Sequence, residues 1–334
     1  MMYIGMDAHK KFCYATMMDK EGNKIGERRF PTVDGALDAF AESIGDARVV
    51  VEASTTGLRV YEHLDDLGVD ICMAHPLKVR AIADAKVKTD KIDSEVLAHL
   101  LRANLIPKAY VPPREIRYLR ALVRHRAALT VVQTSIKNRI HSILTREGVQ
   151  YSFSDLFGKA GTKFLKAVEL RKQNRMAVDN FLIILDSLRS RIDEVSEQID
   201  KEAGDNKDAG LLATEIKGLG KYTSLLVATE IGDVTRFPTY KKLSSYAGLI
   251  PSTSSSGGVT RHGKITKRGN KLLRWALIQA AWRVIRYDEK LKGYYARIAK
   301  KRGKNVAIVA TARKLLKRIY FTLQENQAYG VQGV

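Results

Sequence analysis

The chain is poor in what several classes of protein require. Its 334 residues include two cysteines, Cys13 and Cys72, too few for a disulfide framework and without metal-motif spacing, which fits a reducing cytoplasm. No run approaches the ~18 uninterrupted apolar residues of a membrane-spanning helix, so a membrane is not an expected partner. The start, MMYIGMDAHKKFCYA, has an acid at its seventh position and no basic-then-apolar leader, so no secretory signal is expected. His9, His75 and His99 lack metal-ligand spacing and read as structural or surface residues. Acids are almost missing from one stretch, since residues 261–320 carry 19 basic side chains and 2 acidic ones.

What is present in excess is positive charge, 57 Lys and Arg against 36 Asp and Glu, a formal +21. Neutralising phosphates releases condensed counterions, so such a surplus points to a nucleic acid partner. The surplus is uneven, because residues 1–110 hold 15 basic and 17 acidic side chains. One end therefore reads as an acid-bearing catalytic module and the other as a nucleic-acid grip.

The first ~110 residues alternate strand-like and helix-like pieces, the pattern of an α/β sheet. MMYIGMD, FCYATMMD and KIGERRFP read as three consecutive antiparallel strands; ARVVVEAST and VDICMAHP read as strands separated by the helices GALDAFAESIG and GLRVYEHLDDLG. That order is one expected of an RNase H-like fold, and many other α/β folds begin the same way. From Ile116 the character changes to long helices without interior Gly or Pro, and Phe181, Leu185, Leu188, Ile192, Val195 and Ile199 follow heptad spacing. A coiled coil within the chain or with another subunit is expected there. Further on, Gly218 and Gly220 precede an apolar helix beginning at Lys221, the layout of a helix-hairpin-helix turn whose amides meet a phosphate, or of a plain αα-turn. Residues 272–285 and 306–323 read as helices, and the chain after Asn326 as a frayed tail.

Four acids stand where a core would ordinarily hold apolar residues or a helix would begin. Asp7 ends the first strand, Glu52 closes the run VVVE, and Asp90 and Asp93 open an amphipathic helix with i, i+3 spacing. Thr89 or Asp90 could be an ordinary helix cap. Taken together, the four make an oxygen-rich site suited to Mg2+, with Mn2+ as a substitute. The stretch PSTSSSGG, residues 251–258, reads by composition as a flexible linker.

The ordered set MDAHKK, VVVEAST, KTDKIDSEVLA, a long helical spacer, KGLGKYTSLLVATEIGD, YAGLIPSTSSSGG and HGKITKRGNKLLRWALIQAA resembles the DEDD insertion-sequence transposases, the Piv-invertase-like family whose members include bridge-RNA-guided DNA recombinases. The resemblance implies a RuvC-like RNase H fold over residues 1–112, with Asp7, Glu52, Asp90 and Asp93 as metal-binding catalytic acids. It implies a coiled-coil helical region over 113–205, a mainly α-helical transposase domain over 206–326, and a tail over 327–334. The family's pattern falls on Gly248, Leu249, Pro251, Ser256, Gly257, Gly263, Ile265, Lys267, Gly269, Leu273 and Arg274. The nucleophilic serine is then Ser256, with Ser254 and Ser255 immediately upstream making Ser255 the neighbouring register.

The chemistry implied is DNA cleavage and strand exchange through a covalent phosphoserine, the acids and their metal activating the hydroxyl. Expected partners are donor and target DNA, a noncoding guide RNA and further copies of the chain as homodimer or homotetramer, in a bacterial or archaeal cytoplasm at the nucleoid. Nucleic-acid contacts are expected from Gly218, Gly220, Lys221, Arg261, Lys264, Lys267, Arg268, Lys271 and Arg274. Two other readings use the same residues differently. A junction endonuclease would hydrolyse DNA with water and leave the serines as a linker. A non-catalytic nucleic-acid-binding protein would leave the acids without a role.

Overall fold

The computed structural model describes residues 1–83, 89–256 and 259–331, with the side chains of these apart from 254–256, 259–262 and 326–331. The described chain divides into two compact units, Met1–Val111 and Pro112–Val334.

The first unit runs β1 (Met2–Ala8), β2 (Phe12–Met18), β3 (Lys24–Pro31), α1 (Asp34–Ile44), β4 (Ala47–Glu52), α2 (Thr55–Asp66), β5 (Asp70–Ala74), α3 (Pro76–Ile82) and α4 (Asp90–Arg102). The sheet order is β3-β2-β1-β4-β5. β1, β2 and β3 pair antiparallel, while β1, β4 and β5 pair parallel through helical crossovers. This is the mixed α/β arrangement read from the sequence; the short α3 is the element that reading lacked.

Strand alternation divides the labour of the sheet. Ile4, Met6, Val49 and Val51 point to one face, where they pack with Leu37 and Phe40 of α1 and with Val60 and Leu64 of α2. The intervening residues face α4, so Val50 meets Leu97 and Leu101. Gly5 allows α4 to lie directly on β1. A Cβ at that position would stand 2.0 Å from the Ser94 carbonyl oxygen and 2.4 Å from the Ala98 nitrogen. Beside it the buried Thr16 and Ser94 hydroxyls hydrogen-bond at 2.7 Å.

The second unit is mainly helical: α5 (Arg114–Arg146), α6 (Lys159–Ala167), α7 (Lys172–Asp205), α8 (Lys207–Glu215), α9 (Lys221–Ile231), α10 (Tyr240–Tyr246), α11 (Lys271–Val284), α12 (Glu289–Arg302) and α13 (Lys304–Val331). Between α10 and α11 runs an antiparallel hairpin, β6 (Pro251–Ser256) and β7 (Val259–Ile265). A stretch that composition reads as a linker is thus a strand, because its backbone groups pair with β7 in spite of the weak strand preference of Ser. Gly257 and Gly258 lie outside the described residues. α12 was not read from the sequence, and α13 continues past Asn326 through Val331.

The heptad positions of α7 serve two cores. Phe181, Leu185 and Leu188 join Ile136, Ile140 and Leu144 of α5, whereas Val195 and Ile199 join the larger core built by α8 to α13. At the level of Ser196, Arg126 of α5 interrupts the apolar seam: it donates to the Ser196 hydroxyl at 2.7 Å and lies 4.2 Å over the Tyr222 ring of α9. No helix among the described residues is long and apolar enough to cross a membrane.

Candidate functional site

In the first unit the alternation that sends Val50 toward α4 also sends Glu52 there, and the one that places Gly5 under α4 places Asp7 on the same face. β1 and β4 run parallel with Met6 opposite Val51, so Asp7 and Glu52 end neighbouring strands side by side. The first turn of α4 then brings Asp90 within ligand reach of Asp7, whereas Asp93 and Glu52 act on Asp7 through their charges and lie outside that close group. Capping does not occupy Asp90 or Asp93, since the Thr89 side chain accepts from Ile92 N at 3.2 Å.

The other three acids act electrically on Asp7. Burial holds the Asp7 carboxyl above its ordinary value; His9 opposes this, while the charges of Asp90, Asp93 and Glu52 add to it. A part-buried carboxylate with other acids close by is the condition that a divalent cation relieves.

The residue that sequence reasoning missed is His9, taken there for structural or surface. Its Nε2 stands 2.9 Å from Asp90 Oδ1 and 3.2 Å from Asp7 Oδ2. Asp7, His9 and Asp90 are the group among the described residues with ligand atoms close enough to hold a metal, within 4.8 Å of one another. Burial alone would lower the imidazole's pKa, and the bonds and charges of Asp90 and Asp7 more than reverse that. The available signal was position: two residues beyond Asp7, its side chain returns to the same face. Cys13, on the adjacent strand, is buried, and burial pushes its thiol up.

In the second unit the basic motif surrounds the base of the hairpin. Lys264, Lys267, Arg268 and Lys271 are exposed, and Ser256 pairs with Val259 at the far end of the ladder. The side chains of Ser256 and Arg261 lie outside those described. Arg274 differs from its neighbours, since it donates to the Ala247 carbonyl at 3.0 Å and so braces the turn before β6. Two glycines interlock there with positive φ: a Cβ on Gly248 would meet the Arg268 carbonyl at 2.6 Å, and one on Gly269 the Tyr246 carbonyl at 2.3 Å. Gly218 and Gly220 occupy the turn between α8 and α9, Gly218 packed against Val284 of α11, while Gly220 and Lys221 begin α9.

Against the start of α11 sits Glu230, whose side chain is 0% exposed. Arg124 donates to both its oxygens at 2.7 and 2.8 Å, and Asn270, the N-cap of α11, donates at 2.6 Å. Burial would raise this carboxyl, but Arg124 and Asn270 hold it below the usual glutamate value. The node ties α5, α9 and α11 to the base of the basic segment.

Residues 4–148 match a family model of DEDD transposases of the IS110 type, and residues 211–296 match the Transposase IS116/IS110/IS902 family. A transposase for insertion sequence element IS1328 of Yersinia enterocolitica is 28% identical over 326 residues, covering 93% of each chain. A probable family 20 transposase of Pseudomonas aeruginosa is 26% identical over 341 residues, covering 98% of each. A pilin gene-inverting protein of Moraxella bovis is 37% identical over 127 residues, 37% of this chain and 39% of its own.

Proposed function

Since the chain belongs to the IS116/IS110/IS902 family of transposases, we propose that it is a DNA recombinase that exchanges strands through a phosphoserine at Ser256, with Mg2+ or Mn2+ held by Asp7, Glu52, Asp90 and Asp93. The observation that supports this reading is that Asp7 and Asp90 stand within ligand reach of each other at the end of β1, while burial raises the Asp7 carboxyl and the charges of Asp90, Asp93 and Glu52 add to that. The donor set fits the metal, being rich in carboxylate oxygen. When bound, the cation would neutralise charge on a transferring phosphoryl group and favour the ionised hydroxyl.

The chain's own groups do the rest. Ser256 Oγ forms a bond to phosphorus as the bond from phosphorus to the departing sugar oxygen breaks, and that oxygen takes up a proton. A hydroxyl end of the second DNA then attacks the phosphoserine. The serine–phosphorus bond breaks, Ser256 regains its proton, and the bond energy is conserved without a nucleotide cofactor.

Arg261, Lys264, Lys267, Arg268, Lys271 and Arg274 would contact backbone phosphates, with Gly218, Gly220 and Lys221 as a second contact. A structured noncoding RNA would choose the sites, in keeping with a protein whose surplus charge suits phosphates and not base edges. α5 and α7 would form the coiled-coil region through which copies assemble as a homodimer or homotetramer, and the protein would act at the nucleoid in the cytoplasm.

The test is a covalent protein–DNA species trapped on a suicide substrate. It should vanish in Ser256→Ala and persist in Ser255→Ala. Cleavage that survives Ser256→Ala unchanged sinks the phosphoserine and favours metal-activated water.

A further inference from the structure

Resting on the carboxylate metal site proposed above, the geometry points to His9 as a direct nitrogen ligand of that site, giving it a preference for Mn2+ over Mg2+ that four carboxylates alone would not have. Neighbouring vertices of an octahedron with metal–donor bonds of about 2.1 Å lie about 3.0 Å apart. His9 Nε2 stands 3.2 Å from an oxygen of Asp7 and 2.9 Å from an oxygen of Asp90, the spacing of one ligand beside two others.

The imidazole is delivered there by its own backbone. His9 N donates to the Phe12 carbonyl at 2.9 Å, closing the turn between β1 and β2. The Thr32 hydroxyl, itself 3% exposed, donates to the His9 carbonyl at 2.8 Å. The ring rests against Phe12, centroids 4.9 Å apart, and the Arg29 guanidinium covers that Phe12 ring at 4.0 Å. Without an ion that nitrogen pairs with the two carboxylates it stands between, so a bound cation would take the place of its proton. Of the side chain, 43% stays exposed, which leaves room for water or phosphate. Imidazole is a softer donor than carboxylate, and a mixed nitrogen and oxygen set favours the transition metal over Mg2+.

The experiment uses the full chain loaded with Mn2+. Pulsed electron paramagnetic resonance should detect a 14N coupling from a bound imidazole, absent in His9→Gln. Calorimetry should show that His9→Gln weakens Mn2+ by at least roughly tenfold, the loss that even an outer supporting group causes, and Mg2+ by a smaller factor. His9→Asp should recover Mn2+ binding without the nitrogen signal and move the preference toward Mg2+. Mn2+ held by the native chain with an affinity that Asp7→Asn reduces, but with no 14N coupling or with one that His9→Gln leaves intact, overturns the ligand role and leaves the carboxylate site standing. Failure of the native chain to bind Mn2+, or binding indifferent to Asp7→Asn, overturns the carboxylate site as well.

Discussion

Replacing Arg124 by methionine strips the main partner from a carboxylate that has no access to water. Breaking a buried ion pair from one side costs roughly 3–5 kcal/mol, because the remaining charge stays buried. The Arg124 side chain is 54% exposed, so solvent screens part of the pair, and Asn270 would still donate to Glu230. The expected loss at pH 7 is therefore about 2–3 kcal/mol.

The pH dependence gives this a sign. Burial pushes Glu230 up, but the native network holds it below the ordinary value of 4.5. Its stabilising contribution is thus present above that value and lost as pH falls through the lower folded one. In Arg124→Met burial acts with less opposition and the folded pKa moves up. The variant's deficit should then widen as pH climbs from 4 to 7. Both tryptophans, Trp275 and Trp282, lie on α11, the helix capped by Asn270, so urea unfolding followed by tryptophan emission reads this node. A deficit below about 0.5 kcal/mol, the scatter of ordinary surface changes, or one that does not vary with pH, would refute the account. Arg124→Met with Glu230→Gln should recover much of the loss, since the uncompensated charge is gone.

Gly5→Ala should cost ~3 kcal/mol or more in the first unit, the upper end of overpacking penalties, and abolish cleavage with every acid in place; thermal unfolding and a nicking assay check both. Asp7→Asn and Glu52→Gln should retain DNA binding in mobility-shift assays while losing strand cleavage by a thousandfold or so, as removal of a catalytic electrostatic group does. Unchanged cleavage would favour a binding protein without catalysis. Recombination of supercoiled donor and target plasmids by purified protein should require RNA transcribed from DNA flanking the gene, and activity without that RNA would remove the guide from the mechanism.

The first unit was legible because its signals are periodic. Alternation in MYIGMDA and ARVVVE marks the strands, and the same parity places Asp7 and Glu52 on one face. Asp90 and Asp93 were legible as a pair through helical spacing, although capping competed until Thr89 took that role. His9 was not legible, because ligand motifs are counted along the chain and its partner Asp90 is 81 residues away. The β6–β7 hairpin was hidden for a different reason: Ser and Gly give no apolar alternation, and its base is set by Gly248 against Gly269 and by Asn270 on Glu230. Glu230 itself looked like one more charge in VATEIGD; only the packing of α5 shows that it is buried and bound.

The contact at Gly5 bears on how degenerate copies of such a gene should be read. Mobile elements leave descendants that accumulate substitutions, and the four acids proposed to hold the metal are the first residues to compare among them. Here a single methyl group on the first strand would lift α4 from β1 and carry Asp90 and Asp93 away from Asp7 and Glu52. A copy with all four acids and any larger residue at position 5 would therefore score as competent and be silent. Position 5 belongs among the residues checked before a copy is counted as active.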